Sequence, residues 1–404
     1  MAIITPRGAV VAPDSALSRF TDGDITTLVA LRRQLHRHPE LSWKEYATSD
    51  RLAEVVESLG LTVRRVANTG VVARVPGRDP TAPVVAVRGD IDALPIQEET
   101  GLDFSSAVPG IMHACGHDVH AAWAVGAAMS LIREPARGDV LVVLQPAEEL
   151  GAGATAILAS GALDGVKAIF GGHVDRRFDL GQVIAQAGPL AASADSFTIE
   201  LVGRGAHGAR PHESADPIVA AAAVITALQT IVARRLDPAA PAVCTVGSIH
   251  AGVASNVIPE RATLTGTLRA MDPHTRKRLA AEVIRIVSSV AEAYGMQAKV
   301  AVEQGTPPIM NPERESAWAH AAAASVLGAD AVVPFGITNM GGEDFAFYQE
   351  TIPGCFLRFG AREPGGEIIG AHSPRFYAAE GVIFVGAAVL AQCARVASEA
   401  LAAQ

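Results

Sequence analysis

Runs rich in valine and isoleucine alternate with alanine-rich helical stretches in the first half of the chain. VVAVRGD at 84–90 is followed by HAAWAVGAAMSLI at 120–132, DVLVVLQPAEE at 139–149 and KAIFGGHV at 167–174. Continuous apolar runs of this length are typical of strands buried on both faces, and intervening helices favour parallel pairing. The pattern predicts an α/β fold with a mainly parallel sheet.

Polar residues follow these predicted strands where each apolar run ends. Asp90 and Asp92 follow the first strand, Glu148 and Glu149 the second, and His173 the third. The carboxyl ends of parallel strands meet at one edge of a sheet, where open α/β folds bind their ligands. The sequence therefore predicts a functional site at that edge.

The pattern changes at about residue 188, where strands and helices take the order β-α-β-β-α-β. This order is the split-βαβ, or ferredoxin-like, plan. From about residue 304 the chain returns to helices and short strands. We expect a catalytic domain in two parts, residues 1–187 and 304–404, interrupted by an inserted α+β ferredoxin-like domain at 188–303.

Composition narrows the class of protein. The 404 residues are 49% hydrophobic and 19% charged, which is typical of a folded globular protein with more than one domain. The net charge of -9 would repel phosphate backbones and anionic lipid. We therefore expect a small-molecule partner and no nucleic acid.

Cysteine spacing and apolar stretches bear on location. The four cysteines are widely spaced and form neither a disulfide framework nor a C-x-x-C pair, which favours a reducing compartment. The opening residues lack the basic and apolar regions of a signal peptide, and the longest apolar stretches, near 217–233 and 381–394, are expected to stop short of a bilayer span. The prediction is a soluble cytoplasmic protein without a membrane partner.

The segment MHACGHDVH, residues 112–120, holds three histidines and a cysteine. Cys115 and His117 are separated by one residue, so an extended backbone would direct both side chains to one side. Thiolate and imidazole suit a borderline-soft cation. His120 is expected on the following helix, and His113 is expected to pack or support. Taken alone, this loop leaves a metal site and a chance cluster open.

Glu148 and Glu149 form an acidic pair after a predicted buried strand. Adjacent carboxylates repel each other there unless a cation or a shared proton compensates. Because successive side chains diverge, one carboxylate can bind metal while the other acts on a water as general base. A solvated acidic loop is the alternative interpretation.

Two further histidines complete the candidate ligand set. His173 lies in GGHVD and His372 in GAHSPRF, and either alone is weak evidence of a site. Together with Cys115, His117 and Glu149 they make five candidates. Five ligands suit two metal ions with an open water position better than one structural zinc, which needs four.

The motifs around these residues resemble those of the M20 metallopeptidases. In the family's order, over about residues 25–400, the chain contains LHRHPELSWKE, RGDIDALP, MHACGHDVHAA, LQPAEE, GGHV, GRGAHGARPH, SNVIPERATLTGTLR, MGGEDFAFY and AHSP. They are most similar to the amidohydrolase branch of hippurate, N-acyl-amino-acid and auxin-conjugate hydrolases.

The resemblance implies a role for each candidate in the predicted catalytic domain. Glu148 would be the catalytic base, and Asp92 would support a ligand without being one. Asp90 stands where carboxypeptidase relatives have a metal-binding histidine. The implied metal ligands are Cys115, His117, Glu149, His173 and His372.

The resemblance also implies that the inserted domain serves as a lid and dimerisation domain. It would carry His207, Asn256 and Arg269 toward the substrate. Arg269 would pair with an α-carboxylate and Asn256 would add a neutral donor. His207 would stabilise the charge on the amide oxygen in the partner subunit of a homodimer.

Two positions depart from the branch's usual pattern. Gly172 and Ala371 stand before His173 and His372, where leucine is common. Both changes remove bulk beside the predicted metals, so we expect a wider or differently shaped substrate pocket.

The leading hypothesis is a binuclear metal-dependent amidohydrolase that cleaves the amide C–N bond of N-acyl or N-aroyl amino acids. Zinc or manganese is the expected metal, with cobalt or nickel as alternatives. A metallo-carboxypeptidase or dipeptidase and an aromatic-amine deaminase remain alternatives on the same site. A thiol hydrolase with Cys115 as nucleophile would leave the acidic pair unexplained. A non-catalytic binding protein of the same fold is the alternative from another class.

Overall fold

The computed structural model describes residues 12–404. Its helices are α1 (Asp14–Leu17), α2 (Asp22–Arg37), α3 (Tyr46–Ser58), α4 (His117–Arg133), α5 (Gly153–Ala159), α6 (Pro217–Thr230), α7 (Pro273–Ala293), α8 (Glu313–Leu327), α9 (Phe345–Gln349) and α10 (Val382–Ala402). Its strands are β1 (Thr62–Val66), β2 (Gly70–Val75), β3 (Val85–Asp90), β4 (Val140–Gln145), β5 (Ala168–Asp179), β6 (Val183–Ile184), β7 (Gly188–Ala191), β8 (Ala194–Val202), β9 (Ala206–His207), β10 (Ala242–Ala251), β11 (Val257–Ile258), β12 (Arg261–Ala270), β13 (Gln297–Thr306), β14 (Ile309–Asn311) and β15 (Gly354–Arg362).

The chain divides into two compact units. The first unit comprises the described residues up to Gly188 together with Asn311–Gly336 and Phe347–Gln404, and the second comprises Pro189–Met310 and Ile337–Ala346. The sequence-based boundary at 303 falls inside β13, which continues the second unit's sheet to Thr306.

The first unit is built on a seven-stranded sheet of order β1-β2-β4-β3-β5-β15-β6. The four central strands, β4, β3, β5 and β15, are parallel, whereas β2 and β6 pair antiparallel with their neighbours. Every residue of β3 and β4 is buried, as their continuous apolar runs predict. The predicted α/β fold with a mainly parallel sheet is confirmed.

Helices α4 and α10 pack closely because glycine and alanine occupy their contact. A Cβ added at Gly386 of α10 would lie 2.3 Å from the Trp123 ring of α4, and one added at Gly126 would lie 2.8 Å from the Cβ of Ala387. The alanine-rich pattern of both helices is therefore a requirement of close helix contact.

Two stretches among the described residues are long and apolar enough to cross a membrane, Pro217–Arg235 and α10. The prediction that both stop short of a bilayer span is therefore wrong. In α10, 83% of the most apolar window is buried, where this helix packs against α4 and α8. Its apolar surface is accordingly that of a core helix. In Pro217–Arg235, by contrast, 33% of the most apolar window is buried.

The second unit has the element order β8-α6-β10-β12-α7-β13. Its antiparallel sheet has the order β10-β12-β8-β13, which is the ferredoxin-like arrangement. Aspartate–proline pairs begin both helices: Asp216 caps α6 by accepting the Ile218 N–H, and Asp272 caps α7 by accepting the Thr275 N–H.

Candidate metal centre

The candidate ligands of the first unit lie at the carboxyl edge of its parallel strands. β3 ends at Asp90, and β4 ends just before the turn that carries Glu148 and Glu149. His173 does not follow its strand as predicted, because β5 continues to Asp179 beside β15. However, β5 pairs with β3 only over residues 168–170, so His173 lies beyond the end of β3.

A left-handed glycine brings Cys115 and His117 together. Gly116 has φ 92° and caps α4, which begins at His117, so the backbone between the two residues is not extended as predicted. A Cβ at Gly116 would lie 2.5 Å from the Val174 side chain, which leaves room only for glycine. The Cys115 and His117 donor atoms lie within 4.8 Å of each other and of His173.

The predicted ligands and base converge in the first unit. Cys115 Sγ lies 3.1 Å from His173 Nε2. His117 Nε2 lies 3.8 Å from a carboxylate oxygen of Glu149 and 3.8 Å from one of Glu148. The other Glu149 oxygen lies 3.4 Å from Nε2 of His372. Within overlapping groups of three, all donor atoms lie within 4.8 Å of one another.

His372 reaches this cluster from a loop far along the chain. Its backbone has φ 67°, a left-handed conformation unusual for a residue with a side chain. Its N–H donates to the carbonyl of Ala114 at 2.8 Å, which ties the loop to the segment that carries Cys115. About half of the His372 side chain is exposed, so it forms the outer wall of the cluster.

Hydrogen bonds fix which ring nitrogen each buried histidine presents. Asp92 accepts from His117 Nδ1 at 3.1 Å and also accepts from the Ser42 hydroxyl and the Glu149 N–H. His173 Nδ1 donates to the Val174 carbonyl at 2.7 Å. Both histidines therefore direct Nε2 into the cluster, as expected for ligands oriented by a second hydrogen bond.

The donor atoms of Asp90, His117 and His120 lie within 4.8 Å of one another, but the ring of His120 has other partners. Its Nδ1 lies 2.6 Å from Asp90, and its Nε2 accepts the Val174 N–H at 3.1 Å, so both ring nitrogens are engaged. The ring also stacks on Trp123 with a centroid separation of 4.3 Å. Burial would raise the pKa of the Asp90 carboxyl, but the Arg88 guanidinium 2.5 Å away helps to hold that pKa well below its usual range.

His113 is buried with neither ring nitrogen hydrogen-bonded within residues 12–404. Burial lowers its pKa to about 4, so the imidazole is neutral near pH 7. Its ring lies 6.3 Å from the ring of His36. The packing or supporting role that the sequence suggests for His113 stays a prediction.

The electrostatics of the cluster favour a cation. Nε2 of His117 and one carboxylate oxygen of Glu149 are buried without a hydrogen-bond partner among the described residues, and these two atoms lie 3.8 Å apart. Burial lowers the pKa of His117, but Asp90 and Asp92 outweigh burial and raise it well above its usual range. The surroundings thus stabilise positive charge, which a metal ion supplies in place of the proton.

The Cys115 thiol can lose its proton only if a positive charge lies nearby. Burial and the Glu149 carboxylate raise its pKa well above the usual range. A thiolate at this position therefore requires a neighbouring cation, and a free, reactive thiolate is disfavoured. Sulfur, imidazole nitrogen and carboxylate oxygen together are a donor set for a zinc-like ion, so the residues fit the predicted metals.

His207, Asn256 and Arg269 lie in the second unit. His207 pairs with Val257 in the ribbon formed by β9 and β11, and the Gly208 N–H donates to the Asn256 carbonyl at 2.7 Å. His207 and Asn256 are therefore neighbours, and both are exposed. Arg269 lies on β12 and lines a surface pocket together with Asp195.

The space beside Gly172 is occupied by neighbouring atoms. A Cβ at this residue would lie 2.5 Å from the Phe359 ring and 3.0 Å from the Leu357 carbonyl. The space beside Gly172 is thus filled by Phe359 of the neighbouring strand, and the expectation of a wider or differently shaped substrate pocket stays a prediction. Ala371 is exposed.

A cluster of sulfur, nitrogen and oxygen donors at the carboxyl edge of a mainly parallel sheet is the arrangement of a metal-dependent hydrolase. Comparison with known proteins identifies the family. Residues 86–396 match the model of peptidase family M20/M25/M40, and the chain belongs to that family, as its motifs predict.

The chain is 40% identical over 340 residues to an N-acetyl-L-cysteine deacetylase of Bacillus subtilis, which covers 82% of this chain and 80% of the relative. It is 40% identical over 299 residues to an N-acyl-L-amino acid amidohydrolase of Geobacillus stearothermophilus, which covers 73% and 80%. The structure superposes on the Bacillus subtilis YXEP protein, a dinuclear metal binding peptidase from the M20 family, with a TM-score of 0.83 and 36% identity over 93% of this chain and 99% of that one. The protein is a metal-dependent hydrolase acting on amide bonds.

Proposed function

We propose that this protein hydrolyses the amide bond of N-acyl or N-aroyl amino acids at a centre of two divalent metal ions. Cys115, His117, Glu149, His173 and His372 hold the ions, and Glu148 is the general base. The observation that carries this proposal is the pair of buried, unpartnered atoms at the cluster, His117 Nε2 and one Glu149 oxygen, among the described residues. When His117 is unprotonated, a nitrogen lone pair and a carboxylate oxygen lie 3.8 Å apart, which is costly unless a metal ion replaces the proton between them.

When bound, the two ions supply an acidified water and polarise the oxygen of the scissile amide. The chain's own residues manage the protons. A Glu148 oxygen, 3.8 Å from His117 Nε2, takes the proton of the attacking water and delivers it to the leaving amine nitrogen. Asp92 holds His117 in the tautomer that directs Nε2 inward.

The substrate class rests on the relatives and on the residues of the second unit. Two similar proteins are named for N-acetyl-L-cysteine and for N-acyl-L-amino acids. Both substrate types carry a free α-carboxylate, which the Arg269 guanidinium binds in a bidentate pair. Asn256 adds a neutral donor. Zinc or manganese is the proposed metal, with cobalt or nickel as alternatives.

His207 stabilises the negative charge that develops on the amide oxygen, in the partner subunit of a homodimer built through the second unit. Exposed apolar side chains of the second unit support such a contact, and one of them, Val257, pairs with His207: Ile218, Val219, Ile249, Val253 and Val257. We also propose a cytoplasmic location, which the four free thiols of the described residues support.

The test is a metal-supplemented substrate screen with a chelator control. N-acetyl, N-benzoyl and indole-acyl amino acids are compared with short peptides and arylamines, each with zinc, manganese, cobalt or nickel. We expect the fastest turnover on an N-acyl amino acid, complete loss with chelator and recovery on adding metal. Faster turnover of peptides or arylamines would contradict the proposed substrate, and chelator-resistant turnover would contradict the metal centre.

A further inference from the structure

The turn that carries Glu148 and Glu149 has an unusual backbone. Ala147 has φ 51°, in the left-handed region that residues with a side chain rarely adopt. Its carbonyl accepts the N–H groups of Ala152 at 3.3 Å and Gly153 at 3.1 Å, and the Glu148 carbonyl accepts the Gly151 N–H at 2.7 Å. A Cβ at Gly153 would lie 1.6 Å from the Pro146 carbonyl, so the turn closes tightly on itself.

Two buried carboxylates hold this turn from outside. Glu45 accepts the Ala147 N–H at 2.9 Å, and Asp92 accepts the Glu149 N–H at 3.0 Å. The backbone of Glu148 lies between these two fixed N–H groups. Loss of either hydrogen bond would therefore free the backbone on one side of Glu148 and allow its side chain to change direction.

The Glu45 side chain is held in one position by burial and by a second hydrogen bond. It is 0% exposed, and its second oxygen accepts the Thr69 hydroxyl at 2.7 Å. Although Glu45 is the N-cap residue of α3, its side chain makes no capping hydrogen bond within residues 12–404. Glu40 accepts the first N–H groups of that helix instead, from Ala47 and Thr48.

A buried carboxylate is costly, and its cost requires a reason in the structure. Burial raises the pKa of Glu45, so burial disfavours the charged form of this carboxyl. Glu40 accepts the N–H groups at the start of α3, so helix capping does not explain why the Glu45 carboxylate is buried. Besides the backbone N–H of Glu45 itself, the side chain's hydrogen bonds among the described residues are with the Thr69 hydroxyl and with the Ala147 N–H of the Glu148 turn.

We infer that Glu45 is a positioning residue for Glu148: by accepting the Ala147 N–H, it holds the strained turn in the conformation that aims the catalytic carboxylate. This inference rests on the proposed role of Glu148 as general base. A misplacement of about 1 Å can lower catalytic rates roughly a hundredfold, so the effect of a single hydrogen bond on kcat is measurable.

Two substitutions separate the reach of the Glu45 side chain from its charge. Glu45→Gln keeps an oxygen at the same distance and loses the charge, whereas Glu45→Asp keeps the charge and shortens the side chain by one methylene. We expect kcat of the zinc-loaded Glu45→Asp enzyme on N-acetyl-L-cysteine or N-benzoylglycine to fall roughly tenfold or more. KM and the two bound ions per chain should change little, and Glu45→Gln should stay within about threefold of wild type.

Glu40→Asp is the matched control, because it shortens a carboxylate of the same loop that also accepts backbone N–H groups. We expect it to lower the thermal midpoint without lowering kcat. The inference is overturned if Glu45→Asp keeps kcat within about twofold of wild type. It is equally overturned if Glu45→Gln loses as much as Glu45→Asp, or if kcat falls only together with metal content. Should Glu45→Asp not fold, a tenfold loss of kcat in Glu45→Gln overturns it.

A parallel measurement on Glu148→Gln separates this inference from the proposed function. If Glu148→Gln is inactive and Glu45→Asp is as active as wild type, only the positioning role fails. If Glu148→Gln stays active, the assignment of the base fails. Because Glu45 acts through Glu148, Glu45→Asp should cause no additional loss of kcat in the Glu148→Gln background.

Discussion

The two units present their functional side chains in contrasting ways. In the first unit, His117 and His173 are buried and each is oriented by a hydrogen bond at Nδ1. In the second unit, His207 is exposed on a ribbon of two-residue strands, and Asn256 is exposed just before the second of these strands. Metal ligands must be held to within a fraction of an ångström, whereas groups that meet a substrate are commonly carried on loops. The contrast predicts that changes in the first unit affect proton transfer or metal binding, and that changes in the second unit affect how the substrate and the charge on its amide oxygen are bound.

The largest effect is expected from Glu148→Gln. The amide keeps the shape of the side chain but cannot accept the proton, so kcat should fall by about two to four orders of magnitude. Metal content should stay at wild-type level, as measured by elemental analysis. More than about a tenth of wild-type kcat would contradict the role of Glu148, and loss of metal would make Glu148 a ligand.

Asp92→Asn tests whether metal binding in the first unit depends on the orientation of the His117 ring as well as on the ligands themselves. The amide can present an NH2 group to His117 Nδ1, which would favour the wrong tautomer and weaken the hydrogen bond. We expect metal affinity to fall roughly 10–100-fold, the usual cost of losing such a partner, as measured by competition with a chromophoric chelator. Ser42→Ala removes a neighbouring donor to the same carboxylate and should have a smaller effect. Unchanged affinity in Asp92→Asn would contradict the orienting role.

Substitution of His207 tests whether the second unit of one subunit completes the active site of another. His207→Ala and Glu148→Gln are each expected to be nearly inactive. Mixing the two under subunit exchange should restore part of the activity, because one site of the mixed dimer then holds both intact groups. Recovery near zero despite verified heterodimers would rule out a shared site.

Arg269→Lys tests recognition of the substrate carboxylate. Lysine keeps the charge but loses the bidentate geometry, so the preference for an N-acyl amino acid over its amide should fall roughly tenfold. The measurement is the ratio of kcat/KM for the two substrates. An unchanged ratio would show that Arg269 does not bind the carboxylate.

The pattern of apolar residues and the order of the motifs are sufficient to predict the mainly parallel sheet and the cluster of candidate ligands at its carboxyl edge. Local backbone geometry was not predictable in the same way. The sequence does not reveal that Gly116 bends the ligand loop or that β5 continues past His173, because both follow from contacts with distant strands. Glu45 lies within the motif LHRHPELSWKE, but the motif does not reveal its contact with Ala147, because the two residues are about a hundred positions apart in the chain.

Gly172 shows the same dependence on a distant residue, and it gives the prediction with the smallest effect. A leucine there fits the usual pattern of the resembling branch, but in this structure its Cβ would collide with Phe359, which is itself fully buried and packed against Trp123. We expect Gly172→Leu to lower the free energy of unfolding by about 1–3 kcal/mol, the usual cost of overpacking. Ala371→Leu is the control, because residue 371 is exposed and the same change should cost little there. The double variant Gly172→Leu/Phe359→Ala should lose less unfolding free energy than the two single variants lose in sum. The added leucine then fills the space that the missing phenylalanine ring leaves. If Gly172→Leu instead leaves the thermal midpoint unchanged and narrows the range of acyl groups accepted, then the glycine opens the substrate pocket after all.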